Sequence, residues 1–391
     1  MDQPLLTKID EIADLLQNRS NEGIGLYSGK AGISLFLFYY ARFKNAKAVH
    51  QQATDELDGI FSQVEESPQR LFSFCSGIAG VGWLLNHLCK YGFLQEDPNE
   101  LLSDVDEYLF KAAINDLDRK NFDFLHGAMG VVLYFVKRNR SDYLLHLVHA
   151  LANIAVWDGE GAKWKSVLKH KGGLNGYNIA MSHGSSSIVL ILCKILQFLP
   201  KDEATTKLLY GAVTYILQQE ISVSQYGCYF PSFSIESQPD ILKTRLAWCY
   251  GDLGVALALW KSGIVLQQQA WIDKGMEVLL YNSRRRGLPE NGVQDAGICH
   301  GTSGIAQIFN RLYRHTKRIE FKDASGYWCG KTLSIATFED GLAGYKTWYT
   351  PEHGGWQTNT NFLEGIAGIG LCLMSFVAPE DPAWDECLLL S

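Results

Sequence analysis

The stretch Ile298-Cys299-His300-Gly301-Thr302-Ser303-Gly304-Ile305 sets a thiol and an imidazole side by side, ahead of a Gly-x-x-Gly that opens an apolar helical run. Some fifty residues earlier, Trp248-Cys249-Tyr250-Gly251-Asp252-Leu253-Gly254-Val255 places another cysteine at the same distance from its glycine. Cys249, Cys299 and His300 make a Cys₂His donor set, which suits borderline-soft Zn²⁺. Three protein ligands would leave a fourth position open to water or substrate, as in catalytic zinc sites. The spacing matches neither C-x₂-C fingers nor H-E-x-x-H. Placement in two successive, related segments is what carries the reading, against the plainer account of two buried thiols and a core histidine.

Other titratable residues occupy the same place before a glycine. His183, in Ser182-His183-Gly184, titrates near neutral pH and could accept or return a proton, or could cap a helix. Asp123, in Asn121-Phe122-Asp123-Phe124-Leu125-His126-Gly127, could orient His183 or cap the following helix. Arg245, a helical turn's length before Cys249, could hold an anionic intermediate or pair with a carboxylate. Tyr250 shares the position with Cys249, while His126 and Glu364 are second choices, equally suited to structural roles.

Residues this far apart need a scaffold that repeats. Glycines at 29, 77, 127, 184, 251, 301 and 365 each lead into an apolar stretch. Their irregular period of roughly fifty to sixty residues fits helical-pair repeats. The stretches between motifs, such as Ser103–Ala113 and Glu203–Gln219, have apolar residues at helical intervals. The expected fold is all-α, one domain over 1–391: seven helical pairs could stack as an open solenoid or close into a seven-fold α/α toroid, and buried inner helices with amphipathic outer ones fit closure. Glycine at each helix start is expected to leave free N–H groups facing one end of the ring. Two stretches, 155–180 and 223–245, read as irregular insertions, either long loops or short hairpins. The first holds Trp157-Asp158-Gly159, Lys171-Gly172-Gly173 and Asn175-Gly176; the second holds Tyr226-Gly227-Cys228 and Gln238-Pro239-Asp240.

Composition narrows the function. The 391 residues are 47% hydrophobic and 20% charged, with a formal net charge of -7, so the broad basic footprint of nucleic-acid binding is missing. The segment 1–9 carries charges and no apolar core, so no secretory signal is expected, and no apolar run approaches a membrane span of about 20 residues. A cytoplasmic protein is the expectation. Nine cysteines without disulfide-framework spacing are then buried hydrophobes, ligands or nucleophiles, and Cys89, Cys193 and Cys372 belong to the first kind.

Together these residues resemble the lanthionine synthetase C-like family, the cyclases of lanthipeptide biosynthesis. The resemblance rests on Arg245-Leu246-Ala247-Trp248-Cys249-Tyr250-Gly251, Cys299-His300-Gly301-Thr302-Ser303-Gly304, Ser182-His183-Gly184 and Glu364-Gly365-Ile366-Ala367-Gly368, and it covers nearly the whole chain. It implies a toroid with zinc held by Cys249, Cys299 and His300. It also implies thioether formation, in which a peptide cysteine adds to dehydroalanine or dehydrobutyrine. His183 and Asp123 then take the acid/base positions, and Arg245 and Tyr250 the flanking ones. The implied partners are a dehydrated precursor with its leader peptide, a dehydratase, and an export transporter, with the chain cytoplasmic or peripheral at the membrane within such a complex. Some relatives carry a small β-rich lobe, which the two insertions could supply. The fourth motif, Gly184-Ser185-Ser186-Ser187, lacks the second glycine. The alternative is a zinc protein of the same family that binds or adds glutathione, or acts as a scaffold, without ring closure.

Overall fold

A computed structural model describes residues 2–18, 23–66, 71–169, 174–238 and 242–391. Each of the seven glycines is the N-cap of a helix. The motif helices are α2 (Lys30–Lys44), α4 (Ile78–Lys90), α6 (Ala128–Arg138), α8 (Ser185–Phe198), α11 (Asp252–Val265), α13 (Thr302–Thr316) and α15 (Ile366–Val377). They are buried along most of their length, as apolar residues on every face require. The other helices are α1 (Asp2–Gln17), α3 (Lys47–Glu66), α5 (Pro98–Asp118), α7 (Ser141–Asn153), α9 (Glu203–Leu217), the single turn α10 (Val223–Tyr226), α12 (Gln269–Asn282) and α14 (Ile319–Ser334).

The glycine is required because the chain doubles back on itself there. A methyl group on Gly29, Gly77 or Gly184 would lie 2.3 Å from the carbonyl oxygen six residues upstream. The same carbonyls receive the first N–H of the helix. Lys30 donates to Gly23 at 2.8 Å, Ile78 to Leu71 at 2.8 Å, Ser185 to Asn178 at 2.9 Å, and Thr302 to Asp295 and Ile366 to Asn359 at 3.0 Å. The expectation of free N–H groups at the helix starts is therefore corrected for six of the seven motif helices, α11 being the exception: the upstream loop caps the helix with its own backbone. What the loop does present are the side chains one and two residues before the glycine.

The described residues form two compact units, Met1–Pro98 with Leu288–Ser391, and Asn99–Gly287. In the first, α13, α15, α2 and α4 lie side by side, α14 backs α13 and α3 backs α2. The seventh motif helix, α15, is backed by α1 from the other end of the chain. Backbone bonds tie the residues two before each glycine into a line. Cys299 donates to Leu363 at 2.9 Å, Leu363 to Tyr27 at 3.0 Å, and Tyr27 to Cys75 at 2.9 Å. In the second unit α8 sits between α6 and α11, backed by α9, with α7 on α6 and α12 on α11. There Ser182 donates to Cys249 at 3.2 Å, the same bond between the same positions.

Strands occur only as three two-stranded antiparallel sheets among the described residues, so the β content is hairpins and not a separate lobe. The insertion at 155–180 forms β1 (Val156–Asp158) with β2 (Gly161–Lys163), and β3 (Lys165–Lys169) with β4 (Leu174–Tyr177). That at 223–245 carries α10 and a short 3₁₀ turn, Ile235–Ser237, and is joined to the first by the Asn178–Phe233 bridge. Lys171-Gly172-Gly173 and Pro239-Asp240 lie outside the described residues. A third irregular segment, between α14 and α15, holds β5 (Thr347–Trp348) and β6 (Trp356–Gln357) and was not expected from the sequence. Its signals, Gly341, Gly344, Pro351, Gly354 and Gly355, run straight into the seventh motif. No described helix is long and apolar enough to cross a membrane.

Backing of α15 by α1 depends on side chains such as Ile12, which is fully buried, its Cγ2 3.1 Å from where a side chain on Gly370 would begin. Ile12→Ala should cost about 2–5 kcal/mol through lost transfer energy and the cavity left behind. A urea midpoint that falls at unchanged slope would show it.

Candidate active site

Asp123, His126, His183 and Tyr250 all line one cavity of about 560 Å³ in the Asn99–Gly287 unit. Asp123 and His126 come from the loop before α6, His183 from the loop before α8, and Tyr250 from the loop before α11. The repeat therefore gathers side chains from three motifs at adjacent helix starts.

The central contact is between His183 Nδ1 and Asp123 Oδ2, at 2.6 Å. The other carboxylate oxygen accepts the N–H groups of Leu125 and His126, each at 2.8 Å, which fixes Asp123 in place. Of the two sequence alternatives for Asp123, orienting His183 is realised and capping is not: its second oxygen closes a turn within the loop, and α6 has no side-chain cap. His126 stacks on His183 with ring centroids 6.1 Å apart, and the Tyr250 ring lies tilted on the other side at 6.1 Å. Cys249 is buried directly before Tyr250, its carbonyl held by the Ser182 N–H and hydroxyl.

Burial alone would lower the His183 pKa, but the hydrogen bond and charge of Asp123 outweigh it and raise it above the ordinary histidine value. Burial pushes Asp123 up, yet His183 and the backbone donors bring it below the usual carboxylate range. The pair therefore favours the ionised state. Its His183 contribution to stability is complete below the unfolded histidine value and fades as pH rises through the raised one. The Asp123 contribution is present above the unfolded carboxylate value and is lost as pH falls through the depressed one. His126 moves the opposite way, lowered first by loss of water around its ring and also by His183, against the pull of Asp123. Burial and the neighbouring Cys249 push Tyr250 up to about 12, so its phenol stays a donor across the neutral range.

Arg245 is exposed and does not line this cavity; among the described residues no ion pair engages it. Arg119, Lys120, Ser166 and Asn178 do line it. Sequence reasoning passed over them because they lie in the turn after α5, on β3 and in the capping loop, where no motif marks them.

In the other unit, Cys299 and His300 end the loop before α13. Cys299 is half-buried, its N–H given to Leu363. His300 Nε2 lies 3.2 Å from Oδ2 of Asp295, whose side chain is 1% exposed. Glu364 accepts the Tyr349 hydroxyl at 2.6 Å, a structural bond to the β5–β6 segment. The thiols expected to be packing groups behave as such: burial drives Cys89 to about 11, Cys193 to about 12 and Cys372 well above the ordinary thiol value.

Residues 20–389 match the family described as lanthionine synthetase C-like protein, and the chain belongs to that family. Among curated proteins it is 23% identical to the nisin biosynthesis protein NisC of Lactococcus lactis subsp. lactis, over 96% of this chain and 91% of that one. Among solved structures it resembles a nisin cyclase with a TM-score of 0.78 at 20% identity, covering 98% of this chain and 96% of that one. That likeness carries the fold, the α/α toroid expected from the glycine repeat.

Replacing Asp123 with Asn removes the charge that raises His183. The His183 titration followed by NMR should move down in pH, toward or below the ordinary histidine value of about 6.5. The same midpoint in both proteins would mean that Asp123 does not set the protonation state.

Proposed function

We propose that the chain is a zinc-dependent lanthipeptide cyclase, forming lanthionine and methyllanthionine rings by adding peptide cysteine thiolates to dehydroalanine and dehydrobutyrine. The observation that carries this reading is the Asp123–His183 pair opening onto a cavity. A scaffold, or a protein that only binds glutathione, does not call for an imidazole whose pKa is raised by a half-buried carboxylate beside a phenol. Membership of the family and the likeness to NisC supply the reaction class.

Among the described residues, the set of side chains suited to share one ion is Cys249, Cys299 and His300. Two thiols and an imidazole fit zinc, and three protein ligands leave a place for a substrate sulfur. Zinc bound there would supply the Lewis acidity that makes a thiol a thiolate at neutral pH. On this reading 1–391 acts as one domain.

The residues of the chain then divide the remaining work. Adding sulfur to the β-carbon puts negative charge on the carbonyl oxygen of the dehydro residue. Tyr250, protonated and lining the cavity, is the proposed donor to that oxygen; Arg245, which does not line the cavity, would reach it only with its side chain turned inward. Protonated His183, with Nδ1 held by Asp123, presents Nε2 to deliver a proton to the α-carbon. The substrate thiol has lost one proton and the α-carbon gains one, so protons balance and mass is unchanged. The proposed partners are a dehydrated precursor bearing a leader peptide, the dehydratase that makes it and the exporter that removes it, with the chain acting in the cytoplasm or at the membrane surface.

Two measurements test the reading. Wild type should carry about one zinc per chain by metal analysis, and Cys299→Ala should lose it; equal metal content in both would remove the ligand assignment. With a dehydrated cysteine-bearing precursor, wild type should consume free thiols. His183→Ala should retain zinc and slow that loss by about 10²–10⁴-fold. Unchanged rate and ring stereochemistry would rule out His183 as the acid, and no thiol loss with the wild type would favour the binding-protein reading.

A further inference from the structure

An Asx residue stands six positions before the glycine in four of the seven motifs: Asn121, Asn178, Asp295 and Asn359. In three of them it makes the same local turn. Asn178 Oδ1 accepts the Ala180 N–H at 2.8 Å, Asn359 Oδ1 that of Asn361 at 2.9 Å, and Asp295 Oδ1 that of Gly297 at 3.1 Å. An amide is sufficient for this turn. Only the motif that carries His300 uses a carboxylate, and its second oxygen is occupied differently. Asp295 Oδ2 accepts the Trp348 N–H at 2.9 Å and lies 3.2 Å from His300 Nε2.

We propose that Asp295 is a positioning residue that holds the His300 ring through Nε2, so that Nδ1 is the nitrogen His300 offers to the ion. This rests on the zinc reading above and adds to it the orientation of one ligand. A carboxylate behind a ligating imidazole fixes its tautomer and rotation and strengthens it as a donor. The carboxylate is itself held rigid: Gly297 grips one oxygen and Trp348, the first tryptophan of the Trp348–Trp356 pair on the β5–β6 hairpin, grips the other. The hairpin thereby becomes part of the support for His300. The plainer account, an Asx turn whose second oxygen anchors the Trp348 N–H, leaves the approach of His300 Nε2 to that same oxygen unexplained.

The test uses the full chain and zinc alone. Asp295→Asn should fold, because asparagine makes the same turn in two other motifs, at Asn178 and Asn359. Its apo form should still unfold cooperatively, at a temperature lowered by loss of the acceptor for the Trp348 N–H, while chelator competition should show zinc held about 10–100-fold more weakly. A second measurement needs no variant at Asp295. In ¹⁵N-labelled, zinc-loaded wild type, the His300 ring, assigned by its loss in His300→Gln, should carry its proton on Nε2 and be metallated at Nδ1. Zinc held equally tightly by wild type and Asp295→Asn, or coordination through Nε2, overturns the assignment of Asp295 and leaves the zinc reading standing. A wild type that takes up no zinc overturns both.

Discussion

The return of each loop onto the start of its helix is the constraint on which the rest depends. Six residues leave the preceding segment, turn, and cap the helix with their own carbonyls, and the packing is tight enough that only glycine fits at the cap. Because the backbone satisfies itself, the side chains just before the glycine are released from capping. They are also placed at one end of every motif helix. Chemistry can therefore change from one repeat to the next without touching the scaffold.

The motifs show how that freedom is used. Two residues before the glycine, Tyr27 and Ser182 serve packing and backbone alignment, Tyr27 reaching the Cys387 carbonyl with its hydroxyl at 2.6 Å. The same position carries Cys249 and Cys299. One residue before the glycine, Ser28 and Ser76 are small and polar, whereas His183 and His300 each meet a buried or half-buried carboxylate. The two histidines are held at different nitrogens, His183 through Nδ1 and His300 through Nε2. The two carboxylates, Asp123 and Asp295, come from different offsets within their loops. Asp123 lies four residues before its glycine and Asp295 six.

Burial and pairing compete at His183, and pairing wins. Loss of water around the ring alone would lower the His183 pKa; the anchored carboxylate, unable to turn away because two backbone N–H groups hold it, raises it instead. His126, stacked on the same ring, is pushed the other way. Two histidines in one cavity thus acquire opposite protonation preferences, a division of roles that residue types alone do not specify.

Much of this was legible in the chain. The seven glycines, the apolar runs after them and the polar residues before them follow from local rules: a helix that is apolar on all sides must be buried, and a tight N-cap needs glycine. These located every motif helix and singled out Cys249, Cys299, His300, His183 and Asp123. The sequence could not show that α15 is backed by α1, because that contact joins the two ends of the chain. Nor could it show that the loops consume the N–H groups once thought free, or that Tyr250 and not Arg245 lines the cavity. Asp295 was hidden for a related reason. Its residue type marks only a turn, and its second role exists because folding brings His300 and the Trp348 N–H to the same oxygen. Local periodicity determined which segments become buried helices. Which carboxylate meets which imidazole was decided by tertiary packing, since those contacts depend on distances between loops that no spacing along the chain encodes.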